Sequence, residues 1–338
     1  MLTRAGHAPL VVERQRETGD ALCGGFLSWR SLRTLAALGF DAQGHRITRL
    51  RILANGRAGE AALPGAAIGI SRRRLDGGLL QHAENIGVSI ERGVTVRHAE
   101  PGRVELDDGA AIACETLFLA TGKHDARGLA RPRAGPDPAL GLRLRMPATS
   151  ALHRLIGDAI ELHLFRGGYA GLLLQEDGGA NLCLAVRKSR LAEAGDPWTL
   201  LESLGCECPA LGDRLAFADR AVAIDAVGSV PYGWRATRGI QGLYRLGDQA
   251  AVIPSLAGEG MGIALASGAM AADAWLAGGP AGAVRFQAAL ARRTARPVRV
   301  AGWLRDITET AAGRAAAPHL AGLARPLARL TRMTPATP

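Results

Sequence analysis

The chain has 338 residues, 48% hydrophobic and 21% charged, a composition that excludes a peptide or a disordered chain and fits a packed globular protein. Its formal charge of +10 is uneven: residues 281–338 hold ten Arg and no Lys against Asp306 and Glu309, which could attract an anionic membrane face or nucleic acid. Aromatic residues make up only 4%, too few to stack single-stranded nucleic acid, so nucleic-acid binding is set aside.

In chain order, a helical turn ends at Gly6 and a short apolar strand runs over 10–12, with Glu13 and Arg14 at its exit. A glycine-containing loop with Cys23 leads into a helix that carries Leu32, Leu35 and Leu38 on one face and stops at Gly39. Alternating residues on either side of Asn55-Gly56 predict a hairpin with a two-residue turn. Ser71 is the N-cap of an amphipathic helix that Gly87 ends. Short strands follow over 88–90 and 94–96, then a hairpin at Asp107-Asp108-Gly109, then the apolar strand TLFLATG with Thr121 and Gly122 at its carboxyl end. Strands alternating with helices predict a parallel sheet covered by helices. The texture changes at the Pro/Gly-rich joint RPRAGPDPALG. Beyond it IELHLFRGG, YAGLLLQ and ANLCLAV predict an antiparallel meander, followed by helices over 198–204 and 208–215. From Gly242 the parallel pattern returns, as a buried strand over 243–246, a glycine-rich loop and a helix of small residues. Near the end, Leu320, Leu323, Leu327 and Leu330 recur at helical spacing, which predicts a packed stripe with Arg325, Arg329 and Arg332 on its solvated side.

The chemistry concentrates at Asp248 and the loop after it. A carboxylate just past a parallel strand, with Gly258, Gly260 and Gly262 opening a helix, presents a negative charge and several free backbone N–H groups to one ligand. Elsewhere the signals are weak. The odd number of cysteines, five, fits reduced thiols, and Cys206-Glu-Cys208 lacks a second ligand pair, so it reads as small residues in a loop and no metal is expected. Lys123, His124 and Asp125 are neighbours on a loop and read as solvated, so no catalytic pair is assigned. No apolar run is long enough to span a membrane and no secretory signal opens the chain, which makes cytoplasm the expected location.

The segment LYRLGDQAAVIPSLAGEGMGIALASG resembles the second flavin-binding motif of the FAD-dependent aromatic hydroxylase and geranylgeranyl reductase superfamily. The resemblance implies that Asp248, with Gly247 before it, holds the ribityl chain of FAD. It also implies that the loop with Pro254, Gly258, Gly260, Met261 and Gly262 meets the pyrophosphate and the pyrimidine edge of the ring. TLFLATG resembles the strand that passes beside the adenosine, bringing in Thr121 and Gly122, and VVER resembles the strand whose terminal acid, here Glu13 next to Arg14, bonds the adenosine ribose. The stretches around Cys23-Gly24-Gly25 and Gly168-Tyr169 are similar to those of the reductases, in which a Cys-Gly loop lies near the flavin and a Gly-Tyr strand covers the substrate. An Arg at the start of the helix after Ser71 reaches the cofactor in relatives, which makes Arg72 a candidate among Arg72, Arg73 and Arg74. Two departures accompany this. The strand and GxGxxG turn that open such proteins are absent, so the chain is expected to begin inside the first helix. Thr121-Gly122-Lys123 stands where the hydroxylases carry Asp-Gly.

The expected fold is therefore α/β. An N-terminally truncated, three-layer Rossmann-like FAD-binding domain (1–45, 66–130 and 235–280) is interrupted by a substrate-binding antiparallel sheet (46–65 and 131–234) and followed by a helical segment (281–338). The expected function is an FAD-dependent oxidoreductase, either reductase or monooxygenase, with NADPH or NADH as candidate reductant and a hydrophobic small molecule as substrate. The alternative is a non-catalytic chain that keeps this fold and contacts a membrane surface or partner through its basic tail.

Overall fold

The computed structural model describes residues 1–132 and 135–333. Two positions of the Pro/Gly joint and the last five residues of the helical segment lie outside the described residues. The elements are β1 (Leu10–Glu13), β2 (Phe26–Leu27), α1 (Trp29–Ala37), β3 (His45–Ala54), β4 (Arg57–Gly69), α2 (Arg72–Asn85), β5 (Ser89–Arg92), β6 (Val96–Glu100), β7 (Arg103–Leu106), β8 (Ala111–Ala113) and β9 (Leu117–Leu119). They continue with β10 (Ala139–Met146), α3 (Ser150–Ile156), β11 (Ala159–Phe165), β12 (Gly168–Leu174), β13 (Ala180–Arg187), α4 (Lys188–Ala194), α5 (Pro197–Glu207), α6 (Pro209–Leu215), β14 (Asp225–Val230) and β15 (Leu243–Arg245). Last come α7 (Gly260–Gly278), α8 (Gly282–Glu309), α9 (Ala311–Ala316) and α10 (Ala324–Leu330).

The β3–β4 hairpin turns at Asn55 (φ 51°) and Gly56 (φ 69°), the positive pair that a tight two-residue turn requires. Its register shifts between Ile47 and Arg49, and Pro64, which has no N–H to give a ladder, lies on the longer strand across from that shift. The hairpin joins an eight-stranded sheet of order β14-β10-β13-β12-β11-β3-β4-β2, in which β11, β12 and β13 form the antiparallel meander and β3 runs parallel to β11. Period-two alternation gives this sheet two different faces. Leu142, Leu144, Leu172, Leu182 and Leu184 point to one side and pack under α3, α5 and α6 in the largest core. Glu161 and His163 alternate onto the same helix-covered side, where Arg214 of α6 grips Glu161 at 2.8 and 2.9 Å. Burial alone would raise the Glu161 carboxyl, but His163 and Arg214 hold it down to about 2.

The expected parallel sheet is present as two separate two-stranded pairs, β1 with β5 and β9 with β15. Among the described residues only side chains join them. His7 packs edge-on against Trp275, whose Nε1 donates to Thr116 ahead of β9, and Arg14 meets His124 Nε2 at 3.0 Å beyond the other ends. Around β15, Tyr244 stacks on Phe118 and packs against Phe286 of α8, so α7 and α8 share one core with it. One window in Gly260–Glu309 is long and apolar enough to cross a membrane by length and composition, but the run consists of two helices broken at Gly279 (φ 51°).

Three sequence expectations are corrected. The second strand of the predicted 88–96 region lies further on, at β6. The leucine stripe at the end is not one packed helix: Leu320 lies in the turn after Pro318 and Leu323 ends a short 3-10 turn with Gly322, so only Leu327 and Leu330 lie on α10, and Leu320, Leu323 and Leu330 are exposed while Leu327 is half-buried. Arg325 and Arg329 are solvated as expected, but Arg332 is buried. Cys206 and Cys208 also differ from a half-buried loop pair, since Cys206 is exposed on α5 and Cys208 is buried at its end.

Candidate functional site

Between the far face of the large sheet and the β15–α7 region lies a cavity of about 370 Å³. The sheet contributes Leu50, Ile52, Ile160 and Leu162, the C-terminal segment contributes Leu323 and Leu327, and the lining is predominantly apolar. Four groups of polar atoms enter this space.

The first is the N-terminus of α7. No side chain caps it, so the amides of Gly260, Met261 and Gly262 are left to whatever occupies the cavity. The loop before it turns at Gly258 (φ 59°), where an added Cβ would lie 2.9 Å from the Phe26 ring. At Gly260 and at Gly24 an added Cβ would meet nothing within 4 Å, so both present bare backbone to open space. Asp248, just past β15, lines the same cavity, and among the described residues its carboxylate has no hydrogen-bonding partner.

The second is a chain of hydroxyls. Tyr169 Oη accepts the Leu256 N–H at 2.6 Å and lies 2.5 Å from Ser255 Oγ, which lies 2.8 Å from Tyr232 Oη. Three hydroxyls share two contacts, so one O–H donor is left over for a ligand. Burial raises the Tyr169 phenol well above its ordinary value and pushes Tyr232 up to about 12, so both are neutral donors near pH 7.

Lys123 is the third. Its Nζ donates to the Leu22 carbonyl at 2.5 Å and lines the cavity, so it is not the solvated loop residue the sequence suggested. His124 and Asp125 do point away, His124 to Arg14 and Asp125 to Arg131 at 2.7 Å. Arg131 also donates to the Lys123 and Asp248 carbonyls, and Gln249 Nε2 donates to the Gly122 and His124 carbonyls. These two buried side chains tie the loop after β9 to the turn that carries Asp248.

The fourth is the pair Glu259–Arg332, 2.9 Å apart with each residue 3% exposed. Arg332 lies over the Trp29 ring and donates to the Ala257 carbonyl, while Arg30 donates to the Met333 carbonyl, so the end of the C-terminal segment is clasped to the loop before α7. A Cβ on Gly262 would fall 2.7 Å from the Glu259 carboxylate, so this glycine makes room for the clasp.

Of the residues singled out from sequence, Cys23, Asp248, Gly258, Gly260 and Met261 line the cavity together. Pro254 and Gly262 flank that loop, and the Gly247 N–H donates to Ser267 of α7. Arg72 lies beside the Cys23 thiol and pairs with Asp76 at 2.7 Å, whereas Arg73 and Arg74 are exposed. Thr121 bonds the His124 carbonyl and Glu13 accepts the Gln15 N–H, so both are engaged in their own loops away from the cavity. Tyr232, Ser255, Cys183 and Arg332 were not found from sequence; each reaches the site only through tertiary folding. Burial pushes the Cys183 thiol up to about 12. Among the described residues no cluster of His, Cys, Asp and Glu could hold a metal.

No family model matches the chain, and no curated protein matches its sequence. Solved structures do. PqsL, a probable FAD-dependent monooxygenase from Pseudomonas aeruginosa, is similar at 19% identity and a TM-score of 0.72 over 93% of each chain. 2-Methyl-3-hydroxypyridine-5-carboxylic acid oxygenase is similar at 19% identity and 0.67, over 97% of this chain and 90% of its own. The halogenase PltM is similar at 12% identity and 0.75, over 90% of this chain and 71% of its own. The chain therefore has the fold of these oxygenases and halogenases, a mixed α/β body with a large curled sheet and a helical C-terminal segment.

Proposed function

We propose that the chain is an FAD-dependent oxidoreductase of the monooxygenase type, acting on a hydrophobic small molecule that carries one hydrogen-bond-accepting oxygen. The observation that carries this reading is the meeting, in one apolar cavity, of Asp248, the uncapped amides of α7 and backbone left bare at Gly24 and Gly260. These residues fit FAD: the amides and helix dipole suit its electron-rich pyrophosphate and ring edge, and the carboxylate suits the hydroxyls of its ribityl chain. When bound, FAD supplies hydride and electron transfer that no side chain here could perform.

The protein's own contribution is binding, orientation and exclusion of water. The aliphatic wall formed by Leu50, Ile52, Ile160 and Leu162 selects an apolar body and keeps the cavity dry. The spare O–H of the Tyr169–Ser255–Tyr232 chain gives that body one orienting donor, and both tyrosines stay neutral. Lys123 places a cation by the cavity. Similarity in fold to PqsL and to the hydroxypyridine oxygenase favours oxygenation over double-bond reduction.

The protein titrated with FAD is expected to take up flavin, read as quenching of its fluorescence, and Asp248→Ala to weaken uptake about tenfold to a hundredfold. A chain that stays colourless, or an Asp248→Ala variant that binds equally well, overturns the reading. With bound flavin and a turned-over substrate, oxygen consumed in proportion to product supports the monooxygenase type, and product formed without it assigns a reductase.

A further inference from the structure

Several large exposed apolar side chains gather in one place. Trp303 is 73% exposed on α8, Ile307 stands one turn further along the same face, and Leu320 and Leu323 are 53% and 51% exposed on the segment beyond. Ile307, Leu320 and Leu323 also line the cavity, so the outer patch is continuous with the apolar interior. Single exposed leucines need no explanation, but a contiguous patch at a cavity mouth marks a surface that meets something apolar.

The surroundings of this patch are basic. Arg296 and Arg299 are exposed on α8, Arg299 one turn before Trp303, and Arg325 and Arg329 are exposed on α10. None of the four has an acidic partner among the described residues, because Asp306 and Glu309 are taken by Arg305 and Arg187. A second copy of the chain would oppose two such surfaces, and like charge disfavours that. Nucleic acid stacks a base on a tryptophan but offers nothing to cover leucines that open onto an apolar cavity. An anionic bilayer satisfies both parts, acyl chains for the apolar residues and headgroups for the arginines.

The geometry points to this face as a docking surface for an anionic lipid bilayer, with Trp303, Leu320 and Leu323 inserted at the interface and the cavity mouth turned toward the lipid. A lipophilic substrate then enters from the bilayer without crossing water. That second statement rests on the proposed function; the docking does not.

The full chain is mixed with vesicles of phosphatidylcholine alone or with added phosphatidylglycerol and sedimented at low and high salt. Binding is expected with the anionic vesicles only, to fall at high salt without vanishing, and to drop about tenfold or more in Arg325→Glu/Arg329→Glu. Trp303→Ser/Leu323→Ser, at exposed positions and checked for native circular dichroism, is expected to lose the salt-resistant remainder. No binding overturns the proposal, and so does binding that this apolar pair of substitutions leaves unchanged, which is the adsorption of any basic protein. Vesicle binding by a chain that takes up no flavin would end the enzymatic reading and leave the docking face standing; flavin uptake without vesicle binding would do the reverse.

Discussion

Glu259 is the residue whose charge state is most at odds with its surroundings. Burial pushes its carboxyl up to about 7, although Arg332 and Arg30 pull it the other way. The attraction falls short because Glu259 Oε2 and Arg332 Nε, though close, make no aligned hydrogen bond, and a buried ion pair without one does not recover its desolvation. The folded state thus holds the proton more tightly than the unfolded chain, in which a glutamate titrates near 4.5. This contribution to stability is complete below 4.5 and is lost as pH rises through about 7, about 3 kcal/mol over the window. Urea denaturation across that range should show Glu259→Gln losing this decline; a variant that keeps the wild-type slope would assign it to other groups. The clasp was invisible in the sequence because it joins residues far apart in the chain, and Arg332 looked like one more arginine on a solvated helix face.

At the scale of elements, what was legible was what neighbouring residues decide. Ser71 accepts the Arg74 N–H as the N-cap of α2, Gly39 and Gly87 end their helices with positive φ, and Asn55-Gly56 makes its turn. Gly56 tests the last of these cleanly. An added Cβ would meet nothing within 4 Å, so Gly56→Ala brings only the strain of φ 69°. Thermal or urea denaturation should show a loss of about 1 kcal/mol, and an unchanged midpoint would mean that the turn relaxes to another type. The terminal leucine stripe departs from its spacing because period alone does not show where the helix begins: Leu320 and Leu323 fall in the turns around Pro318 and Gly322 that precede α10. Tyr232 and Ser255 carry no local signature at all, since their meeting with Tyr169 depends on the large sheet folding against the loop after β15.

For the molecule as a whole, stability is unevenly spread. The large sheet has eight strands with one face sealed by helices, whereas β1 has only β5 as a ladder partner among the described residues and begins at exposed Leu10. Two-stranded parallel pairs have little stability of their own. Hydrogen exchange should therefore show the β1 amides exchanging by local opening well before those of β12, and equal protection would mean that the side-chain contacts at His7 and Arg14 bind the body together as firmly as a backbone ladder does. If they do not, the line between the two ribbons acts as a hinge. The β1–β5 ribbon then tilts against β9–β15 with no ladder hydrogen bond between the two pairs to break, while the chamber under the great sheet keeps its shape.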